Sequence, residues 1–156
     1  MSRRRAAVKR VIEPDPKFGN KDLASFINRV MYGGKKSVAQ RAVYQALDLV
    51  QVETNRDPLE VFDQAMRNAT PTVEVKPRRV GGATYQVPIE VAPNRQRALA
   101  MRWLIRGARA RTGQPMRSRL AAELLDASRG QGSAVRRREE LYKMAEANRA
   151  FVHYKW

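Results

Sequence analysis

The 156-residue sequence predicts a mainly α fold: a single compact bundle of about six helices, a protruding two-stranded β-hairpin between the third and fourth, and a basic N-terminal arm. Three observations carry this. Apolar residues recur at three- and four-residue spacing in six segments. The period drops to two only between Thr72 and Val91, on either side of a Gly-Gly pair. Asn, Asp, Pro and Gly punctuate the segments where helix ends require them. A chain of this length buries about 68–70% of its unfolded surface without staples, and 43% hydrophobic residues supply a core. One domain over 1–156 is expected, with a basic arm at 1–18, a β-ribbon at 72–91 and a basic aromatic tail at 148–156.

After the arm, Asn20 can cap a first helix in which Leu23, Phe26, Ile27, Val30 and Met31 share a face, and Gly33-Gly34 ends it. Ser37 precedes a second stripe of Val38, Ala39, Ala42, Val43, Ala46, Leu47 and Val50, running to about Glu53. Asp57-Pro58-Leu59-Glu60 then places a capping Asp, a Pro at the first helical position and a Glu at the third, ahead of Phe62, Ala65, Met66 and Ala69.

In the ribbon, Val73 and Val75 alternate with polar residues before Val80-Gly81-Gly82-Ala83, and Tyr85, Val87, Ile89 and Val91 do so after it. The glycines supply the positive φ of a tight hairpin turn. Pro77 and Pro88 cannot donate to a ladder, so each strand needs a free edge, which fits a two-stranded ribbon and not a central sheet.

Helical spacing returns after Pro93 and lasts to about Arg111, with Ala100, Trp103, Leu104, Gly107 and Ala108 on one side. At ~100° per residue, Arg95, Arg102, Arg106 and Arg109 occupy a sector of roughly 60° on the other. Pro115 opens a fifth helix containing Leu120, Ala121, Leu124 and Ala127, closed by Gly130. A sixth follows Ser133, with Leu141, Met144, Ala145 and Asn148 inward.

Charge points to the partner. Lys and Arg total 31 against 15 Asp and Glu, a formal +16. Such a surplus repels itself in a compact fold and is best tolerated against a polyanion. It is also clustered. Arg3, Arg4, Arg5, Lys9 and Arg10 stand in an acid-free start, while Asp48, Glu53, Asp57, Glu60 and Asp63 gather elsewhere. Between Val91 and Ala122 no acid occurs, yet Arg95, Arg97, Arg102, Arg106, Arg109, Arg111, Arg117 and Arg119 do. A solvated mixed-charge helix would show acids at the (i, i+4) positions, so these arginines are expected to face phosphate, which the guanidinium fork grips bidentately.

Catalysis lacks its reagents. There is no Cys and a single His, His153, so neither a disulfide nor a thiolate metal site can form and no metal or cofactor is expected. No apolar run approaches the ~18 residues of a membrane span, and the start lacks the apolar core of a secretory signal. The expectation is a cytoplasmic protein that is not an enzyme and has no membrane partner. Gly33-Gly34-Lys35-Lys36-Ser37 misses the phosphate-loop spacing, because Arg29 replaces the leading Gly and Lys36 the Ser or Thr. It remains either a phosphate-facing turn or a plain helix start. Lys76, Arg78 and Arg79 lie before the ribbon turn and Tyr85 after it, joining phosphate ligands to a ring that either stacks on a base or packs on a cross-strand valine. The tail Phe151-Val152-His153-Tyr154-Lys155-Trp156 reads equally as a hydrophobic plug or as a strip in which His153, Tyr154 and Trp156 stack.

RRVGGATYQVPIEV leading into RQRALAMRW, preceded by GGKKSVA and ended by EANRAFVHYKW, resembles the bacterial small-subunit ribosomal protein number seven, the universal uS7 family, over essentially the whole chain. The resemblance implies a structural constituent of the small subunit in translation. It implies primary binding to small-subunit (16S) rRNA that nucleates assembly of the subunit head, with the β-ribbon near exit-site tRNA and mRNA and proteins nine and eleven as neighbours. Carried onto this chain, rRNA contacts fall to Arg3, Arg4, Arg5, Lys9, Arg10, Lys35, Lys36, Lys76, Arg78, Arg79, Arg95, Arg102, Arg106, Arg109 and Arg111. Arg78, Arg79, Gly81, Gly82 and Tyr85 are then nearest tRNA. The rival is a DNA-bending protein with β-arms, but such arms carry an apolar wedge and this tip offers only Val80.

Overall fold

The computed structural model describes residues 10–154; Arg3, Arg4, Arg5, Lys9 and Trp156 lie outside them. Among the described residues the chain forms α1 (Lys21–Val30), α2 (Lys36–Thr54), α3 (Pro58–Ala69), β1 (Val73–Val80), β2 (Ala83–Glu90), α4 (Pro93–Ala110), α5 (Met116–Ser128), α6 (Gly132–Ala147) and a C-terminal 3₁₀ helix (Arg149–Tyr154). The mainly α class and the hairpin between the third and fourth helices are as the sequence predicts. Two compact units divide the chain, Met1–Gln40 and Arg41–Trp156.

In the first unit a short knot precedes α1. The Asp15 carboxylate, 3% exposed, accepts the backbone N–H groups of Lys17 and Phe18 at 3.1 Å each. Asn20 then caps α1, its Oδ1 accepting from the N–H groups of Asp22 at 2.8 Å and Leu23 at 3.1 Å. That satisfies two donors a helix start leaves open. Leu23, Ala24, Phe26, Ile27 and Val30 are buried. The helix stops at Val30, ahead of the glycines, because Met31 already leaves helical geometry with ψ 138°. Gly33 and Gly34, at φ 59° and 73°, build a separate left-handed turn.

α2 begins at Lys36 and ends in a left-handed Asn55 (φ 52°), whose N–H reaches Gln51 at 2.9 Å. Asn tolerates that conformation better than other non-glycine residues. Val43, Ala46, Leu47 and Val50 are buried, whereas Val38 is exposed, a correction to the stripe read from sequence.

In the second unit, α3 opens as the sequence predicts, with Asp57 accepting the Leu59 N–H at 3.0 Å and Pro58 at the first helical position. α5 packs against α3 and α4, and α6 against α4 and α5. Phe62 of α3, Leu104 of α4, and Leu120 and Leu124 of α5 have no exposed surface, each contributing about 1.5–3 kcal/mol by burial. Asn68 on α3 closes the end of α5, its Nδ2 donating to the carbonyls of Ala127 at 2.8 Å and Ser128 at 2.9 Å. Asn68→Ala strips those helix-terminal acceptors and is expected to cost about 1–2 kcal/mol in urea unfolding. Asn68→Asp is expected to cost more, since it sets a carboxylate against the negative helix end; equal losses for the two would refute the capping role.

The inward residues of α6 differ from expectation. Ala134, Val135 and Ala145 are buried, Leu141 and Asn148 half-buried, and Met144 is 41% exposed. At ~100° per residue Met144 points roughly 80° away from Ala134, off the buried side of the helix.

The ribbon has the register Val73↔Glu90 through Val80↔Ala83, closed by Gly81 and Gly82 at φ 57° and 87°. Positive φ at both central residues matches the two-residue turn that follows strand twist. Its base is braced: the Thr72 N–H donates to the Tyr142 hydroxyl at 3.1 Å and Gln96 Nε2 to the Val91 carbonyl at 2.9 Å.

Candidate nucleic-acid interface

α4 presents the strongest cationic surface because its opposite side is committed to the core. Leu99, Ala100, Met101, Trp103, Leu104, Ile105, Gly107 and Ala108 are buried, so the helix cannot rotate without exposing them. Arg102, Arg106 and Arg109 are held at the solvent face. Arg102 and Arg106 make no ion pair among the described residues. The helical spacing thus places all three on the exposed side, as the sequence predicts.

Arg95 is the exception. Its Nε donates to both Glu74 oxygens, at 3.0 and 2.8 Å, and Lys76 Nζ lies 3.5 Å from the same carboxylate. Glu74 is itself 7% exposed. Arg95 and Lys76 keep half-exposed side chains, but their charge first neutralises Glu74 and ties the ribbon base to α4.

Arg111 is paired as well. It bridges Glu123, at 2.8 Å, and Asp126. Burial opposes its charge, but the hydrogen bonds and the field of Asp126 and Glu123 outweigh burial and hold the guanidinium above its ordinary value. Glu123, 1% exposed, also accepts from the Ser133 hydroxyl at 2.8 Å and the Ala134 N–H at 3.1 Å. A carboxylate from α5 thereby fixes both the start of α6 and the arginine that follows α4. Gly107 makes room for it: a Cβ there would stand 2.1 Å from Ser133 Oγ and 2.5 Å from Glu123 Oε1. Arg119 is structural too, donating to the carbonyls of Arg109 at 3.4 Å and Arg111 at 2.8 Å, which are open acceptors at the end of α4.

Alternation along the ribbon separates residues that adjoin in sequence. Glu74, Lys76, Arg78, Tyr85, Val87 and Ile89 share one face by register, while Arg79, Thr84 and Gln86 share the other. The tail covers the first face at Arg78 and Tyr85. Tyr85 packs against Phe151 and Tyr154, with ring centroids 5.0 and 5.1 Å apart. Arg78 Nη1 donates to the Tyr154 carbonyl. Tyr85 therefore stands opposite Arg78 in register and packs on the tail, not on a cross-strand valine. Phe151 and Tyr154 are half-buried against the ribbon, and Val152 is exposed. Exposed His153 lies 4.2 Å from the Tyr154 ring. Arg79, Gly81 and Gly82 are exposed at the outer end.

In the first unit Arg10, Lys35 and Lys36 are exposed. Beside the two lysines stands Tyr32, which sequence reasoning passes over because it belongs to no apolar stripe. Its position between a helix end and a Gly-Gly turn is the signal that could have revealed it.

The fold and the site define a class: small, basic, mainly helical proteins that hold cationic side chains on a rigid frame and a β-ribbon. A family model described as ribosomal protein S7p/S5e matches residues 2–149. The chain is 60% identical to the small ribosomal subunit protein uS7 of Nitrobacter hamburgensis and to that of Teredinibacter turnerae, and 58% to that of Dehalococcoides mccartyi, with all 156 residues and the whole of each relative covered. The chain belongs to the ribosomal protein S7p/S5e family, as the resemblance in its motifs implied. It is a structural protein of the small ribosomal subunit, working in translation, and not an enzyme.

Proposed function

We propose that this chain binds small-subunit rRNA directly and nucleates assembly of the subunit head. The observation that carries the reading is the partition of arginines along α4: Arg95 and Arg111 are tied to carboxylates, while Arg102 and Arg106 between them face solvent from a helix locked by its buried side. A-form RNA closes its major groove to side chains, so selectivity comes from shape, 2′-hydroxyls and splayed bases at a folded junction. The exposed ribbon end with Arg79, Gly81 and Gly82 suits a backbone running past it, in keeping with a place beside exit-site tRNA and mRNA. Proteins nine and eleven are the neighbours of this reading. Lys35, Lys36, Arg10 and Arg109 add phosphate ligands, as do Arg3, Arg4, Arg5 and Lys9.

The test is competition binding between a full-length small-subunit rRNA transcript and duplex DNA of equal length. With about six to ten phosphate contacts, binding is expected to weaken roughly 10³- to 10⁵-fold between 50 and 200 mM salt, and rRNA is expected to win at every salt concentration. Preference for duplex DNA would replace this reading with the DNA-bending one.

A further inference from the structure

We propose that Tyr32 is a further RNA-binding residue, its ring stacking on an unpaired nucleobase while Lys35 and Lys36 hold the flanking phosphates. This rests on the RNA-binding reading and names a contact within it.

Tyr32 is 84% exposed, which is a poor use of a large ring for folding, since aromatic side chains stabilise by what they bury. It follows α1 directly, in backbone that is fixed. The Met31 N–H reaches Ile27 at 3.0 Å, the Lys35 N–H donates to the Tyr32 carbonyl at 3.2 Å, and the Lys36 N–H to Gly34 at 2.9 Å. Glycines 33 and 34 follow it in the turn, and apart from their chain neighbours no atom of the described residues stands within 4 Å of where a Cβ on either would project. The ring is thus carried on a hydrogen-bonded turn, and its exposure leaves it open to a planar ligand.

Charge selects the ligand. From Leu23 to Leu47 the sequence contains no Asp or Glu. In the first unit the cations of that stretch are Arg29, Lys35 and Lys36, all exposed. Neither lysine has an ion pair among the described residues. A ring flanked by cations that make no ion pair among the described residues matches how single-stranded nucleic acid is held, with phosphates on the cations and a base face on the ring. Stacking tolerates any base, so the turn adds affinity at an unpaired nucleotide without demanding a particular one.

The full chain and a full-length small-subunit rRNA transcript provide the test, read as the dissociation constant across a salt series. Tyr32→Leu is expected to weaken binding about 5- to 100-fold with the salt slope unchanged, since stacking is not an ion-release contact. Tyr32→Phe keeps the ring and is expected to bind within about twofold of the parent. Lys35→Gln with Lys36→Gln is expected to lower the slope by about 1.4–1.8. The unfolding midpoint of Tyr32→Leu is expected to match the parent, because the side chain is almost wholly exposed. Parent-like binding by Tyr32→Leu overturns the proposal alone, as does equal weakening by Leu and Phe. Absence of parent binding to rRNA overturns the RNA reading, and this contact with it.

Discussion

Alanine at Glu123 is expected to destabilise the protein by about 2–4 kcal/mol, toward the lower part of the range for breaking a buried ion pair, and to lower the thermal midpoint by roughly 5–15 °C. The carboxylate is 1% exposed and holds three donors at once: the Ser133 hydroxyl, the Ala134 N–H and Arg111. Removing it orphans the Ala134 N–H in the interior and deprives the exposed Ser133 hydroxyl of its acceptor. Arg111, 35% exposed on its side chain, retains Asp126, which keeps the loss below that of an isolated buried charge. Glu123→Gln preserves shape and one acceptor, so it is expected to cost less than alanine. Gly107→Ala attacks the same point from α4, driving a methyl group into Ser133 Oγ and the Glu123 carboxyl. Because both changes act through one cluster, Gly107→Ala with Ser133→Ala is expected to cost less than the sum of the two. Strictly additive losses in urea unfolding would show that the cluster does not couple the three helices.

The parts of this fold that were legible in sequence are those set by neighbours in the chain. The Asn20 and Asp57 caps each bond to amides two or three residues on, the ribbon turn needs two glycines in succession, and the arginine sector of α4 follows from helical periodicity. What sequence concealed is what distant segments contribute. The stretch from Val91 to Ala122 is free of acids, yet Arg95 finds Glu74 across 21 positions and Arg111 finds Glu123 and Asp126, 12 and 15 positions away. The absence of acids along one helix therefore overstated how many arginines stand unpaired. Tyr85 was ambiguous for the same reason, since Phe151 and Tyr154 come from the far end of the chain. The opposite orientation of Arg78 and Arg79 was within reach, because alternate strand residues point to opposite faces. Grouping them by charge hid it.

Substituting Arg102→Gln together with Arg106→Gln is expected to weaken rRNA binding about 25- to 60-fold at 100 mM salt and to lower the slope of log affinity against log salt by about 1.4–1.8, one ion-release contact per arginine. Both side chains leave a face that is already solvated, so unfolding is expected to shift by no more than about 0.5 kcal/mol. Arg111→Gln supplies the contrast. It removes the same formal charge from the same run of arginines, but that charge is engaged with Glu123 and Asp126. It is expected to cost stability, about 1–3 kcal/mol from partners left with fewer donors, and to leave the salt slope close to the parent value. Charge removal that acts alike at all three positions would mean that net charge alone drives binding. A slope that falls only with Arg102 and Arg106 would mean that the fold selects which arginines meet phosphate, by pairing the others with its own carboxylates.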